Sequence, residues 1–180
     1  MFVSIKTVVF FALIQIFLPS LIHADLIDDV CKKSSSYDRC VPVLRTQGNT
    51  NPDLTKLGQI ALSATSGATR DAISLFNTIL NKKKDGQQVI DAIVDCKGYY
   101  IAISNIIDHY KGSLKAKDYA NMVKYATMIR SHVQSCSAIT EHLFYDDYRN
   151  VMGASTNEDD SASILQAIGS MFQNSKKTNS

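Results

Sequence analysis

The chain has 180 residues, 45% of them hydrophobic, with 19 basic and 17 acidic side chains and a formal net charge of +2. So even a balance excludes the strongly basic surface on which nucleic-acid binding depends. The length suits one domain built round one core.

Residues 1–24 have the layout of a signal peptide. Lys6 precedes an apolar run from Thr7 to Leu18, Pro19 and Ser20 break the run, and Ala24 offers a small residue for cleavage. The run is about a dozen residues, short of the ~20 that cross a bilayer as a helix. Cleavage after Ala24 leaves 180 − 24 = 156 residues and removes Lys6, which lowers the net charge to +1. No second long apolar run follows, so the expected product, residues 25–180, is secreted and free of a membrane anchor. It holds no Asn-x-Ser/Thr sequon, and N-linked glycans are not expected.

Residues 25–48 predict a helical hairpin. Leu26, Ile27 and Val30 mark its first arm, Val41 and Leu44 its second, and the polar run Lys32 to Ser36 its turn. Both arms are too short to hold as helices alone. Cys31 and Cys40 bracket the turn, and a bridge between them would staple it for ~3 kcal/mol in the chain-entropy account.

The stretch 51–173 predicts four amphipathic helices. After the breakers Gly48 to Pro52, apolar residues from Leu57 to Ile79 recur at three- and four-residue steps. The small run Ser63, Ala64, Ser66, Gly67 and Ala68 would let a neighbouring helix approach closely. Lys82 to Gln87 reads as a turn, and its three lysines as a solvated loop. A second pattern runs from about Gln88 to Tyr110, with Gly112 and Ser113 expected to end it. A third starts near Asp118, a good N-cap, and carries Met122, Ala126, Ile129, Val133 and Cys136. Cys96 and Cys136 both sit on apolar stripes, so a bridge would pin two antiparallel helices for ~4 kcal/mol. Tyr145 to Asp160 is polar and reads as a loop, Ser161 to Phe172 as a short last helix, and 174–180 as a disordered tail. The simplest packing is an all-α, up-and-down four-helix bundle preceded by the hairpin.

Catalytic signatures are missing. The sequence has no His-Glu-x-x-His, Gly-x-Ser-x-Gly, P-loop or calcium-loop pattern. His109, His132 and His142 are scattered, and Asp91 with Asp95 fits a solvated helix face. An even cysteine count in an exported chain suggests two disulfides rather than a reactive thiol. The expectation is a binding protein, not an enzyme, with no catalytic residue, metal or cofactor. Tyr99, Tyr100, Ile103 and Ile107 leave open an alternative, a carrier holding a small apolar ligand between its helices.

Several segments together carry a likeness. Asp25-Leu-Ile-Asp-Asp-Val-Cys31, Tyr37-Asp-Arg-Cys40, Asp53-Leu-Thr-Lys-Leu-Gly-Gln59, Cys96 followed by Tyr99-Tyr100, and Lys117-Asp118-Tyr119 ahead of Cys136 span the exported chain. In this set the sequence resembles the plant invertase and pectin methylesterase inhibitor family. Some secreted pollen proteins, allergens among them, share the pattern. The resemblance implies a hairpin and four-helix bundle with bridges Cys31–Cys40 and Cys96–Cys136. It also implies inhibition of a cell-wall carbohydrate enzyme by protein–protein contact in the apoplast rather than the vacuole.

The two branches of the family differ in their targets. Invertase inhibitors carry Pro-Lys-Phe where this chain has Tyr119, Ala120 and Asn121. Pectin methylesterase inhibitors often have Asp-Tyr there, as Asp118-Tyr119 does. That branch also tends to place acids after its third and fourth cysteines; here the positions hold Gly98, Ala102 and Asn105, then Ser137 and Ala138. Ser135 keeps a hydroxyl where the branch often has Thr. The resemblance thus favours pectin methylesterase slightly over acid invertase, leaves room for a member that inhibits neither, and puts the candidate interface at Gly98, Asn105, Tyr119 and Ser135.

Overall fold

The structure, a computed structural model, describes residues 26–45, 52–82, 85–141 and 147–178. The expected signal segment, 1–24, lies outside them. Among the described residues six helices follow in order: α1 Leu26–Cys31, α2 Tyr37–Arg45, α3 Leu54–Lys82, α4 Gln87–Ala116, α5 Tyr119–Thr140 and α6 Tyr148–Thr178.

Helices α3 to α6 form the four-helix bundle. α4 packs on α3 and α5, and α6 closes the ring by packing on α5 and α3. Local chemistry sets several of the helix ends. The Asp53 carboxylate accepts the Lys56 N–H at 2.7 Å, and the Asp118 carboxylate accepts that of Asn121 at 3.2 Å. Each acid thereby satisfies a donor the first helical turn leaves free. α4 passes through Gly112 and stops at Lys117, which is left-handed (φ 56°). A single glycine costs only about 1 kcal/mol against alanine, too little to end a long packed helix.

Apolar spacing builds the core. Leu57 and Phe76 of α3, Ile93, Tyr100, Ile103 and Tyr110 of α4, Met122 and Ile129 of α5, and Leu165 of α6 are fully buried. Phe76 meets Tyr100 edge to face with centroids 5.1 Å apart. The Tyr110 hydroxyl, shut from water, donates to the Leu165 carbonyl at 2.9 Å.

The tightest glycine contacts lie away from the small-residue run of α3. A Cβ added at Gly67 would meet nothing within 4 Å. One at Gly169 would lie 3.0 Å from Val123 Cγ2 and 3.2 Å from its backbone nitrogen, and one at Gly58 would lie 3.3 Å from Leu114. The α5–α6 contact therefore relies on glycine.

Both expected bridges are present. Cys31–Cys40 joins α1 to α2 with Cα atoms 5.4 Å apart, and Cys96–Cys136 joins α4 to α5 at 4.7 Å. The hairpin lies against α6 and α3. It is fastened to α6, since the Ser35 N–H in its turn donates to Ser163 Oγ at 3.1 Å and Arg39 of α2 pairs with Asp160 at 2.9 Å.

Two expectations about the C-terminal third are corrected. Residues 148–160, read as loop, form the first half of α6, and 174–178, read as tail, continue the same helix. The inward stripe of α6 runs Val151, Ser155, Glu158, Ala162, Leu165, so two of its members are polar, and all five are buried. Partners on other helices replace apolar character there. Asp159 forms a two-point pair with Arg130 of α5, and Glu158 reaches Thr69 of α3 at 3.0 Å.

Candidate functional site

The outer side of α4 and α5 holds most of the candidate residues. Val94, Gly98, Ile101 and Asn105 recur at steps of four, three and four, which places them on one face of α4. All four are exposed. Val94 and Ile101 are large apolar residues with 51% and 49% of their surface in solvent, and Met128 of α5 has 38%. Ser135, half-buried, returns its hydroxyl to the Ser131 carbonyl at 3.0 Å.

Aromatic pairs tie the seam between these helices. Tyr99 of α4 lies against His132 of α5, and His109 of α4 stacks on Tyr125 of α5, each with centroids 5.6 Å apart. The Cys96–Cys136 bridge is buried at one end of the same seam. The two histidines serve here as flat packing surfaces between helices. His142 lies outside the described residues.

Gly98 and Ser135 flank that bridge, two residues after Cys96 and one before Cys136. Asn105 is seven residues further along α4, about 10 Å at 1.5 Å per residue. Tyr119 stands apart. It is sixteen residues from Ser135, about 24 Å along α5. Its ring stacks on Phe172 of α6 at 4.5 Å with an interplanar angle of 1°. The structure thus brings Gly98, Asn105 and Ser135 to one face and turns Tyr119 toward the opposite end of the bundle.

Exposed Asp91 and Asp108 continue the stripe at either end. Asp91 accepts from Gln87 at 2.7 Å within α4. The positions after the third and fourth cysteines, Gly98, Ala102, Asn105, Ser137 and Ala138, present no carboxylate. The exposed Val94, Ile101 and Met128 were not singled out in the sequence. Their signal was there: Val94 and Ile101 are seven residues apart, and both miss the stripe that carries Cys96.

Three of the four residues suggested for a carrier site are used otherwise. Tyr100 and Ile103 are fully buried core, and Tyr99 packs on His132. Ile107 joins Leu62 and Leu114 in the floor of a groove of about 440 Å³ between α3 and α4, with Arg70, Lys111 and Lys115 also lining it. Among the described residues, no three His, Cys, Asp or Glu side chains converge as a metal site. No described helix is long and apolar enough to cross a membrane.

A family model described as "Plant invertase/pectin methylesterase inhibitor" matches residues 25–168. A comparison with curated proteins returns no match. Two solved structures share the fold at 17% sequence identity. One is a mutant form A of a pectin methylesterase inhibitor from Arabidopsis, with a TM-score of 0.74, covering 82% of this chain and 97% of that one. The other is a pectin methylesterase inhibitor from Arabidopsis thaliana, with a TM-score of 0.64, covering 84% and 98%. With the family match spanning most of its length, the chain belongs to the plant invertase and pectin methylesterase inhibitor family.

Proposed function

We propose that this protein is a secreted inhibitor of a plant cell-wall carbohydrate enzyme, with pectin methylesterase favoured over acid invertase. It acts by covering the enzyme with the sides of α4 and α5, and it is neither cleaved nor consumed. The observation that carries this reading is the outer face itself. Val94, Ile101 and Met128 expose apolar surface beside Gly98, Asn105 and Ser135, on two helices locked by a disulfide. Exposed apolar area rimmed by polar groups suits a protein interface. Membership of the family supports the inhibitory role, and the two solved structures that share the fold are named as pectin methylesterase inhibitors. Tyr119, Ala120 and Asn121 in place of Pro-Lys-Phe speak against invertase.

The test is a titration of the purified protein, residues 25–180, into pectin methylesterase and acid invertase assays. The expected result is loss of esterase activity with a stoichiometric end-point and unchanged invertase activity. Full activity of both enzymes at excess protein overturns the reading.

A further inference from the structure

Three consecutive acids in the middle of α6 turn to three different neighbours. Asp159 pairs with Arg130 of α5, and Asp160 with Arg39 of α2. Glu158 turns to α3 and meets no cation there. It is fully buried, Oε1 lies 3.0 Å from Thr69 Oγ1, and Oε2 has no hydrogen-bond partner.

Counting protons decides its state. The Thr69 hydroxyl has one proton and two acceptors in reach, the Thr65 carbonyl at 2.9 Å and Glu158 Oε1 at 3.0 Å. An ionised Glu158 competes for that proton and buries a charge with nothing opposite it, which is costly. A neutral Glu158 removes the conflict. Its carboxyl O–H donates to Thr69 Oγ1, Thr69 donates to the Thr65 carbonyl, and each proton is used once. Burial pushes the Glu158 carboxyl up to about 8, against the opposing effect of the Thr69 hydrogen bond.

The surrounding groups do not offset a charge at this position. α3 offers the Thr69 hydroxyl, while its neighbours Arg70 and Asp71 are exposed. α4 offers Tyr100, whose hydroxyl lies 3.5 Å from Ser155 Oγ and whose pKa burial raises. α5 offers Arg130, already held by Asp159 and Gln166. α2 offers Arg39, held by Asp160. On α6 itself, Asp159 and Asp160 are like charges beside it.

We propose that Glu158 is a proton-operated latch between α3 and α6: protonated in acid, where it holds the two helices together, and ionised toward alkaline pH, where that contact weakens. The proton passes to solvent. The inference concerns the response of the fold itself and holds whichever partner the outer face takes. An unfolded glutamate titrates near about 4.3, well below the buried group. The stabilisation is therefore whole below that pH, declines as pH rises, and is lost once pH passes the folded value of about 8.

Thermal unfolding of the disulfide-bonded protein across about pH 5 to 9 tests this, comparing wild type with Glu158→Gln. Wild type should lose on the order of 5–10 °C in melting temperature over that range relative to the variant, which cannot ionise there. Parallel profiles overturn the proposal. Should Glu158→Gln fail to fold, carboxyl carbon NMR of the wild type decides. A Glu158 midpoint above about 6.5 supports the latch, and one near the ordinary ~4.3 overturns it.

Discussion

Arg130 and Asp159 face each other across α5 and α6 in a two-point pair, Nε to Oδ1 at 2.9 Å and Nη2 to Oδ2 at 3.1 Å. The third guanidinium nitrogen, Nη1, donates to Gln166 at 3.1 Å. One side chain thus fixes α5 against two successive turns of α6. The Asp159 hydrogen bonds hold the Arg130 guanidinium above its already high pKa. Arg130→Ala should destabilise the fold by about 1–2 kcal/mol, as the fork and its packing are lost together. Arg130→Lys should recover only part of this, because an ammonium cannot span both oxygens and Gln166. Urea unfolding of the three proteins measures the order; a lysine variant as stable as wild type refutes it.

Two glycines should respond oppositely to alanine. Gly169→Ala places a methyl 3.0–3.2 Å from the side chain and backbone of Val123, so α5 and α6 must separate. That should cost about 1–3 kcal/mol. Gly67→Ala meets open space in the middle of α3 and should stabilise by about 0.5–1 kcal/mol through backbone entropy alone. Melting temperatures that move in the same direction for both variants contradict the packing described.

Replacing Cys96 and Cys136 together by alanine should cost ~4 kcal/mol, since a 40-residue separation is no longer bridged in the unfolded chain. Loss of the Cys31–Cys40 bridge should cost less, ~3 kcal/mol, and loosen chiefly α1 and α2. Amide hydrogen exchange separates the two effects. Protection lost throughout α4 and α5 in the hairpin variant contradicts the assignment.

Ser135→Arg with Asn105→Arg puts two long cations on the outer face without touching the core, since Asn105 is exposed and Ser135 half-buried. The pair should raise the inhibition constant at least tenfold and leave the helical circular dichroism unchanged. With no carboxylate at Gly98, Ala102, Asn105, Ser137 and Ala138, raising salt should weaken the wild-type complex less than that of a relative with acids at those positions. Unimpaired inhibition by the double variant moves the interface elsewhere.

The bundle was legible wherever apolar residues carried the inward stripe. Leu57 to Ile79, Ile93 to Tyr110 and Met122 to Cys136 announce three helices by spacing alone. The first half of α6 was not legible, because its inward positions include Ser155 and Glu158. A periodicity scan counts such residues as solvent-facing. Ser155 meets Tyr100 and Glu158 meets Thr69, while Arg130 and Arg39 hold the adjoining Asp159 and Asp160; these four partners lie on four other helices and are brought there only by folding. The candidate face was partly legible for the same reason in reverse. Positions on one helix, Gly98 and Asn105, could be placed together by count. Tyr119 could not, because its direction is set by Phe172, more than fifty residues away.

α4 and α5 are joined twice, within their packed length by the Cys96–Cys136 bond and at their shared end by Lys117 and Asp118. Covalently, the pair is a macrocycle. Its arms resist sliding and splaying, so a partner docking on the proposed face would meet Gly98, Ile101, Met128 and Ser135 at a spacing fixed before it arrives. Little backbone freedom remains to be lost on association, so contact area converts to affinity with less entropic loss than on two untethered helices. Reducing the bond should therefore speed dissociation before it changes the helical content.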